Sequence, residues 1–82
     1  MEKQRKKFTE LATSAIKENR NLVISKDETG LITIAQQLVV NEGERVTLVF
    51  LKGAIEVEPK YLLNLRDAIN EVIQTLVDDE AI

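Results

Sequence analysis

The stretch KGAIEVEPKYLLNLRDAI, residues 52 to 69, decides the local fold, because a short alternating strand leads through the lone proline into an amphipathic helix. Ile55 and Val57 share one face of this strand. Pro59 lacks a backbone N–H and fits the first turn of a helix, so the strand ends and the helix begins at this residue. The apolar side chains that follow at helical spacing are Leu62, Leu65, Ile69, Val72, Ile73 and Leu76.

Strands are also predicted upstream of this stretch, at residues 22 to 25, 31 to 40 and 45 to 51. These segments are rich in β-branched residues and partly alternate between apolar and polar side chains. The polar turns KDETG at residues 26 to 30 and NEGE at residues 41 to 44 separate them. Antiparallel hairpins are therefore expected across the middle of the chain.

The amino-terminal residues 2 to 19 show a spacing typical of a helix, with apolar side chains at i, i+3, i+4, i+7 and i+8. These side chains belong to Phe8, Leu11, Ala12, Ala15 and Ile16. The predicted fold class is α+β, with an N-terminal helix, an antiparallel sheet of three to four strands and a C-terminal helix packed on the sheet. One domain is expected over residues 1 to 82, with a basic, frayed start at 1 to 7 and an acidic tail at 78 to 82.

The small size of the chain predicts a dimer. A domain of 82 residues buries a limited core and usually needs an additional source of stability. The chain has no cysteine and no histidine, so disulfides and thiolate or imidazole metal sites are excluded. Self-association is the remaining source of stability. The interface is expected to include the apolar residues Leu62, Leu63, Leu65 and Ile69.

The chemistry of the chain argues against an enzyme. Nucleophilic dyads and triads based on histidine or cysteine cannot be assembled, and the three glycines are isolated at turns. The carboxylates of Glu56 and Glu58 are expected to be solvated edge charges, and the acidic tail a solvated terminus rather than a cation site. No cofactor is expected. Because no apolar run reaches roughly 18 to 20 residues, a cytoplasmic protein is predicted.

The distribution of charge favours an interaction with nucleic acid at the amino-terminal half. Residues 1 to 41 carry seven basic and five acidic side chains, whereas residues 42 to 82 carry four and nine. A basic zone is typical of proteins that contact phosphates, although the acidic pI of about 4.9 disfavours strong non-specific binding. The candidate nucleic-acid-binding residues are Lys3, Arg5, Lys6, Lys7, Lys17, Arg20, Lys26, Arg45, Lys52, Lys60 and Tyr61.

Aromatic side chains, on which unpaired bases stack, are few. Phe8 is expected to pack in the core from the stripe of the first predicted helix, and Phe50 from within an apolar strand. Tyr61, at the start of the second helix, is left open between packing and contact with a partner.

The residues from Lys52 to Pro59, followed by Leu62, Leu65 and Ile69, resemble the positive cofactor 4 family of single-stranded-DNA-binding transcriptional coactivators. A lysine-glycine turn leads through a short strand to a proline-started helix in both, and the turn at residues 41 to 44 lies at a compatible distance upstream. The resemblance covers about 40 residues. It implies a homodimer whose curved sheets bind unpaired DNA. The order of elements is also similar to the double-stranded-RNA-binding domain, but the lysine cluster of that family is replaced here by Pro59-Lys60-Tyr61-Leu62.

Two functions are consistent with these observations. The first is a non-enzymatic nucleic-acid-binding protein, with single-stranded DNA preferred over RNA, that acts as a homodimer in an accessory or regulatory role. The second is a protein-interaction or assembly module without nucleic-acid binding, which the acidic pI and the apolar strands and helix favour.

Overall fold

The computed structural model describes residues 7 to 82. This part of the chain forms five strands followed by one helix, so the protein is a small, sheet-rich fold. The strands are β1 (Phe8–Lys17), β2 (Arg20–Asp27), β3 (Ile32–Glu42), β4 (Arg45–Phe50) and β5 (Ile55–Val57), and a 3-10 turn at Pro59–Tyr61 leads into α1 (Leu62–Asp78).

The prediction of an N-terminal helix is wrong, because residues 8 to 17 form β1; residues 2 to 6 of the predicted helix lie outside the described residues. The register between β1 and β2 shifts twice, between Glu10 and Ala12 and between Ala15 and Lys17. Each shift adds a residue to β1 and interrupts the alternation of side chains expected of a strand. The apolar residues of β1 therefore fall at a spacing that imitates a helix.

The five strands form one antiparallel sheet, rather than the predicted three to four strands. The spatial order is β1-β2-β3-β4, and β5 pairs with β3 on the same side as β4. Phe50 of β4 pairs with Gln37, and Ile55 of β5 pairs with Ile34, so β4 and β5 follow one edge of β3 in succession. The bend between them contains Gly53 at φ +99°, a conformation that side chains disfavour.

Asp27 organises the turn between β2 and β3. Its side chain is buried, and Oδ1 accepts hydrogen bonds from the Thr29 backbone N–H at 2.8 Å, the Thr29 hydroxyl at 2.6 Å and the Leu31 N–H at 3.1 Å. Gly30 donates its N–H to the Asp27 carbonyl at 3.1 Å. An aspartate that accepts backbone N–H groups a few residues ahead stabilises a tight turn.

The buried core of the described chain is small. The buried apolar residues are Val23, Ile32 and Ile34, all from the two central strands. The molecule measures 54 × 40 × 18 Å, and its least dimension leaves room for little more than the sheet and its side chains. The sheet is therefore not sandwiched between two layers.

The predicted packing of the C-terminal helix on the sheet is wrong over most of its length. Within α1, Leu62 and Leu65 are half-buried, and every residue from Arg66 onward is exposed. The apolar stripe of α1 thus lies largely in solvent. Within residues 7 to 82, no helix combines the length and the apolar character that crossing a bilayer requires.

Candidate nucleic-acid interface

One face of the sheet contains a concavity of about 280 Å³ between two phenylalanines. Phe8 comes from β1, at one margin of the sheet, and Phe50 from β4, at the other. We call this side of the sheet the phenylalanine face. The other residues that line the concavity are Ser25, Thr33, Ala35, Leu51 and Ala54.

The strand register explains why these side chains share a face. Directly paired residues of antiparallel strands point to the same side of the sheet. Ser25 pairs with Thr33 and Phe8 pairs with Asp27, two residues along β2 from Ser25. Phe50 pairs with Gln37, which lies four residues from Thr33 on β3. The even spacing keeps all of them on one side.

Both phenylalanines are accessible, which corrects the prediction that they pack in the core. Phe8 is 52% exposed and Phe50 is 59% exposed. The reason is that β1 and β4 are edge strands, so their side chains have a neighbouring strand on one side. Two exposed rings beside the serine and threonine hydroxyls form a surface on which flat, partly polar groups can stack.

Two of the predicted cationic residues flank the concavity. Lys7 precedes Phe8, and Lys52 follows Leu51; both lysines are exposed. Two acidic residues lie on the same face, since Glu10 pairs with Ser25 and Glu56 pairs with Thr33. The phenylalanine face therefore combines aromatic rings and hydroxyls with cations at its margins and carboxylates between them.

The remaining strand cations occupy the opposite side of the sheet, which we call the basic face. Lys17 pairs with Arg20, and Lys26 and Arg45 share this face because they pair with Ile32 and Glu42 of β3. The Arg20 guanidinium donates a hydrogen bond to the Gln36 side chain at 3.4 Å, which holds it against the sheet. The predicted phosphate contacts are thus divided between two faces.

The last predicted contacts lie away from both faces. Lys60 and Tyr61 belong to the 3-10 turn, where the Lys60 Nζ lies 3.8 Å from the Glu58 carboxylate and 5.3 Å from the centre of the Tyr61 ring. Tyr61 is exposed. The three remaining candidates, Lys3, Arg5 and Lys6, lie outside the described residues.

The four residues predicted for the dimer interface differ in exposure. Leu62 and Leu65 are half-buried at the start of α1, whereas Leu63 and Ile69 are exposed. The exposed apolar surface also extends farther along the helix than the predicted set. It continues through Val72, Ile73, Leu76 and Val77.

Metal chemistry has no evident location in the part of the chain that the structure describes. No group of three acidic side chains in residues 7 to 82 is arranged to hold an ion.

The most prominent residues of the candidate interface, Phe8 and Phe50, were missing from the residues predicted to bind. The alternation of apolar residues in β4 indicates on which face Phe50 lies. Only the sheet order shows that β1 and β4 are edge strands, which leaves Phe8 and Phe50 exposed.

A scan against protein-family models and searches of curated proteins and of solved structures found no match to this chain.

Proposed function

We propose that the protein is a non-enzymatic homodimer that binds single-stranded nucleic acid, DNA in preference to RNA, in an accessory or regulatory role in the cytoplasm. The observation that carries this proposal is the concavity between Phe8 and Phe50 on the phenylalanine face. Unpaired bases offer flat rings that stack on exposed aromatic side chains. A base that enters this concavity meets two rings and the hydroxyls of Ser25 and Thr33.

Cations at the margins of the concavity suit the phosphates that join successive bases. Lys7 and Lys52 are each one residue away from a residue that lines it. Phosphate contacts add affinity without reading sequence, and they weaken as salt rises. The carboxylates of Glu10 and Glu56 oppose dense binding of phosphates on this face, so we expect moderate affinity and a shallow dependence on salt.

The homodimer is supported by the apolar surface that one copy leaves in solvent. The exposed stripe of α1 and the exposed strand residues together exceed the scattered apolar side chains of an ordinary monomer. The family resemblance of about residues 30 to 69 adds the same expectation. We therefore propose that α1 contributes to contacts between two copies.

The proposal is tested by titrating a fluorescent oligonucleotide with the protein at several salt concentrations. Phe8→Leu and Phe50→Leu keep an apolar side chain and remove the ring. Each is expected to weaken binding roughly 5- to 150-fold, because stacking contributes about 1 to 3 kcal/mol per base. The matched control is Val49→Ala, which alters an exposed residue beside Phe50 on the basic face.

Charge variants show which face binds. Lys52→Gln is expected to weaken binding and reduce the salt slope by roughly 0.7, the value for one phosphate of a single strand. Lys26→Gln, on the basic face, should leave the affinity and the salt slope unchanged. Binding that is lost with Lys26→Gln and retained with Phe50→Leu would assign nucleic acid to the basic face. Absence of binding at low salt would contradict the proposed function itself.

A protein-interaction module remains the second candidate, favoured by the apolar stripe of α1. A partner helix that packs along this stripe would cover the residues from Ile69 to Val77. This alternative predicts that the chain alone binds no oligonucleotide and that substitutions on α1 change the mass of its complexes.

A further inference from the structure

We infer that β4 is a self-complementary edge strand, and that two copies of the chain join by antiparallel pairing of β4 with β4 of the second copy, with Leu48 on the two-fold axis. This inference rests on the proposed homodimer and specifies which backbone surface forms it. It follows from the character of the sheet edges, the direction of the β4 backbone groups and the order of the side chains around Leu48.

The three edge segments of the sheet differ in how they oppose strand addition. β1 contains two register shifts, and β5 contains Glu56 and is followed by Glu58 and Pro59. Bulges, charges and proline are the features by which edge strands avoid pairing with another chain. Between its ends β4 has none of them: its exposed residues include Val46, Leu48, Val49 and Phe50.

The backbone groups available on β4 are identified by the pairing with β3. Leu51 donates its N–H to the Gln36 carbonyl at 2.9 Å, so the backbone of Leu51 points toward β3. Hydrogen-bonded and non-hydrogen-bonded pairs alternate along antiparallel strands. Val49, Thr47 and Arg45 therefore also point toward β3. The N–H and C=O groups of Val46, Leu48 and Phe50 point outward, where the described sheet has no further strand.

One antiparallel register uses all three of these outward-pointing residues. It pairs Leu48 with Leu48 of the second copy, Val46 with its Phe50, and Phe50 with its Val46. Each pair exchanges two backbone hydrogen bonds. A shift by two residues in either direction leaves one of the three without a partner inside β4. The same register keeps both phenylalanine faces on one side of the combined sheet.

Side-chain charge agrees with this register. Counting outward from Leu48, Glu44 stands four residues before it and Lys52 four residues after it. The register consequently places Glu44 of each copy near Lys52 of the other, at both ends of the paired segment. Both residues are exposed in the single chain. Two copies of β4 that pair in this way form an isologous interface, in which both chains use the same surface, and the assembly closes at two chains.

Cysteine cross-linking tests the register directly, because the natural chain has no cysteine. Leu48→Cys places two thiols on the axis, with Cα atoms about 5.5 Å apart, within the range of a disulfide. Mild oxidation should give a covalent pair of chains. Val46→Cys is the control: its counterpart in the second copy lies four residues away, roughly 13 Å, and should not cross-link. A mixture of Val46→Cys and Phe50→Cys chains should cross-link.

Mass in solution provides the second measurement. Leu48→Lys is expected to reduce the mass by half in light scattering at micromolar concentration. Leu11→Lys is the matched control on the opposite edge, since Leu11 is 55% exposed and Leu48 is 56% exposed. Circular dichroism of the same samples confirms that the strands form. The charge-swapped pair Glu44→Lys with Lys52→Glu should associate better than either single variant.

Three results would overturn the inference. These are a monomeric natural chain at tens of micromolar, a mass that Leu48→Lys leaves unchanged, and cross-linking at position 46 that equals or exceeds cross-linking at position 48. A dimer that persists in Leu48→Lys keeps the proposed homodimer and moves its contacts to α1. None of these results depends on oligonucleotide binding, which is measured separately.

Discussion

Asp27 shows how one side chain holds the central hairpin together. Its Oδ1 accepts hydrogen bonds from two backbone N–H groups and one hydroxyl in the turn before β3. We predict that Asp27→Ala destabilises the protein by roughly 1 to 3 kcal/mol, because donors that were satisfied by the carboxylate lose their partner. Urea unfolding at fixed protein concentration measures this loss.

Glu28→Ala provides the comparison for Asp27, because Glu28 is exposed in the same turn. A surface substitution of this kind should change stability by less than about 0.5 kcal/mol. Equal effects of the two substitutions would show that the turn contributes through its charge and not through the hydrogen bonds of Asp27.

At the scale of single elements, α1 is half-buried at Leu62 and Leu65 and exposed over the rest of its length. Ile69 is 51% exposed although it lies in the middle of the apolar stripe. We predict that Ile69→Asp raises the dissociation constant of the homodimer at least tenfold, since a charge replaces an apolar contact worth about 1.5 to 3 kcal/mol when fully buried. Sedimentation equilibrium measures the constant.

The control for Ile69→Asp is Asn64→Asp, which adds a negative charge to the same helix outside its apolar stripe. This variant should associate like the natural chain. If both variants associate normally, α1 lies outside the homodimer contacts. Its apolar stripe would then be available to bind a different protein.

The elements also show which parts of the fold were predictable from the sequence. Pro59 is a local signal, and the helix follows it as predicted because proline acts on its own backbone and on its neighbour. β1 was unpredictable because its apolar residues have helical spacing, and the two bulges that fit this spacing into a strand exist only through pairing with β2. Alternation in β3 was read correctly, with Ile32 and Ile34 on the face opposite Thr33.

The candidate site was less predictable than the strands that build it. The cationic candidates were selected from the sequence by their charge alone. In the structure, Lys26 lies on the basic face, whereas Lys52 lies at the margin of the phenylalanine face. Whether an aromatic ring such as Phe50 is buried depends on which strand lies beside it, and strand order is a long-range property. The sequence therefore identified candidate cations but neither the face on which each one lies nor the exposed phenylalanines between them.

At the scale of the whole molecule, a single chain has too small a core for its amount of apolar surface. Val23 is 1% exposed, and the only other buried apolar residues of the described chain are Ile32 and Ile34. Folding and association should therefore be coupled. We predict that the thermal midpoint rises by about 4 °C for each tenfold increase in protein concentration.

Differential scanning calorimetry over a hundredfold range of concentration measures this dependence. Leu48→Lys, which removes the proposed β4 contact, should have a lower midpoint with less dependence on concentration. A midpoint that is independent of concentration in the natural chain would mean that one copy is stable without its partner.

The attachment of α1 to the sheet has a consequence for the order in which the protein unfolds. β5 is tied to β3 by three residue pairs, from Ile32 with Val57 to Ile34 with Ile55, and the chain bends at Gly53 just before it. Opening these pairs releases β5, the 3-10 turn and the helix together and leaves the pairing of β1 to β4 in place. We therefore expect β5, the 3-10 turn and α1 to detach as one carboxyl-terminal arm before the pairing of β1 to β4 opens.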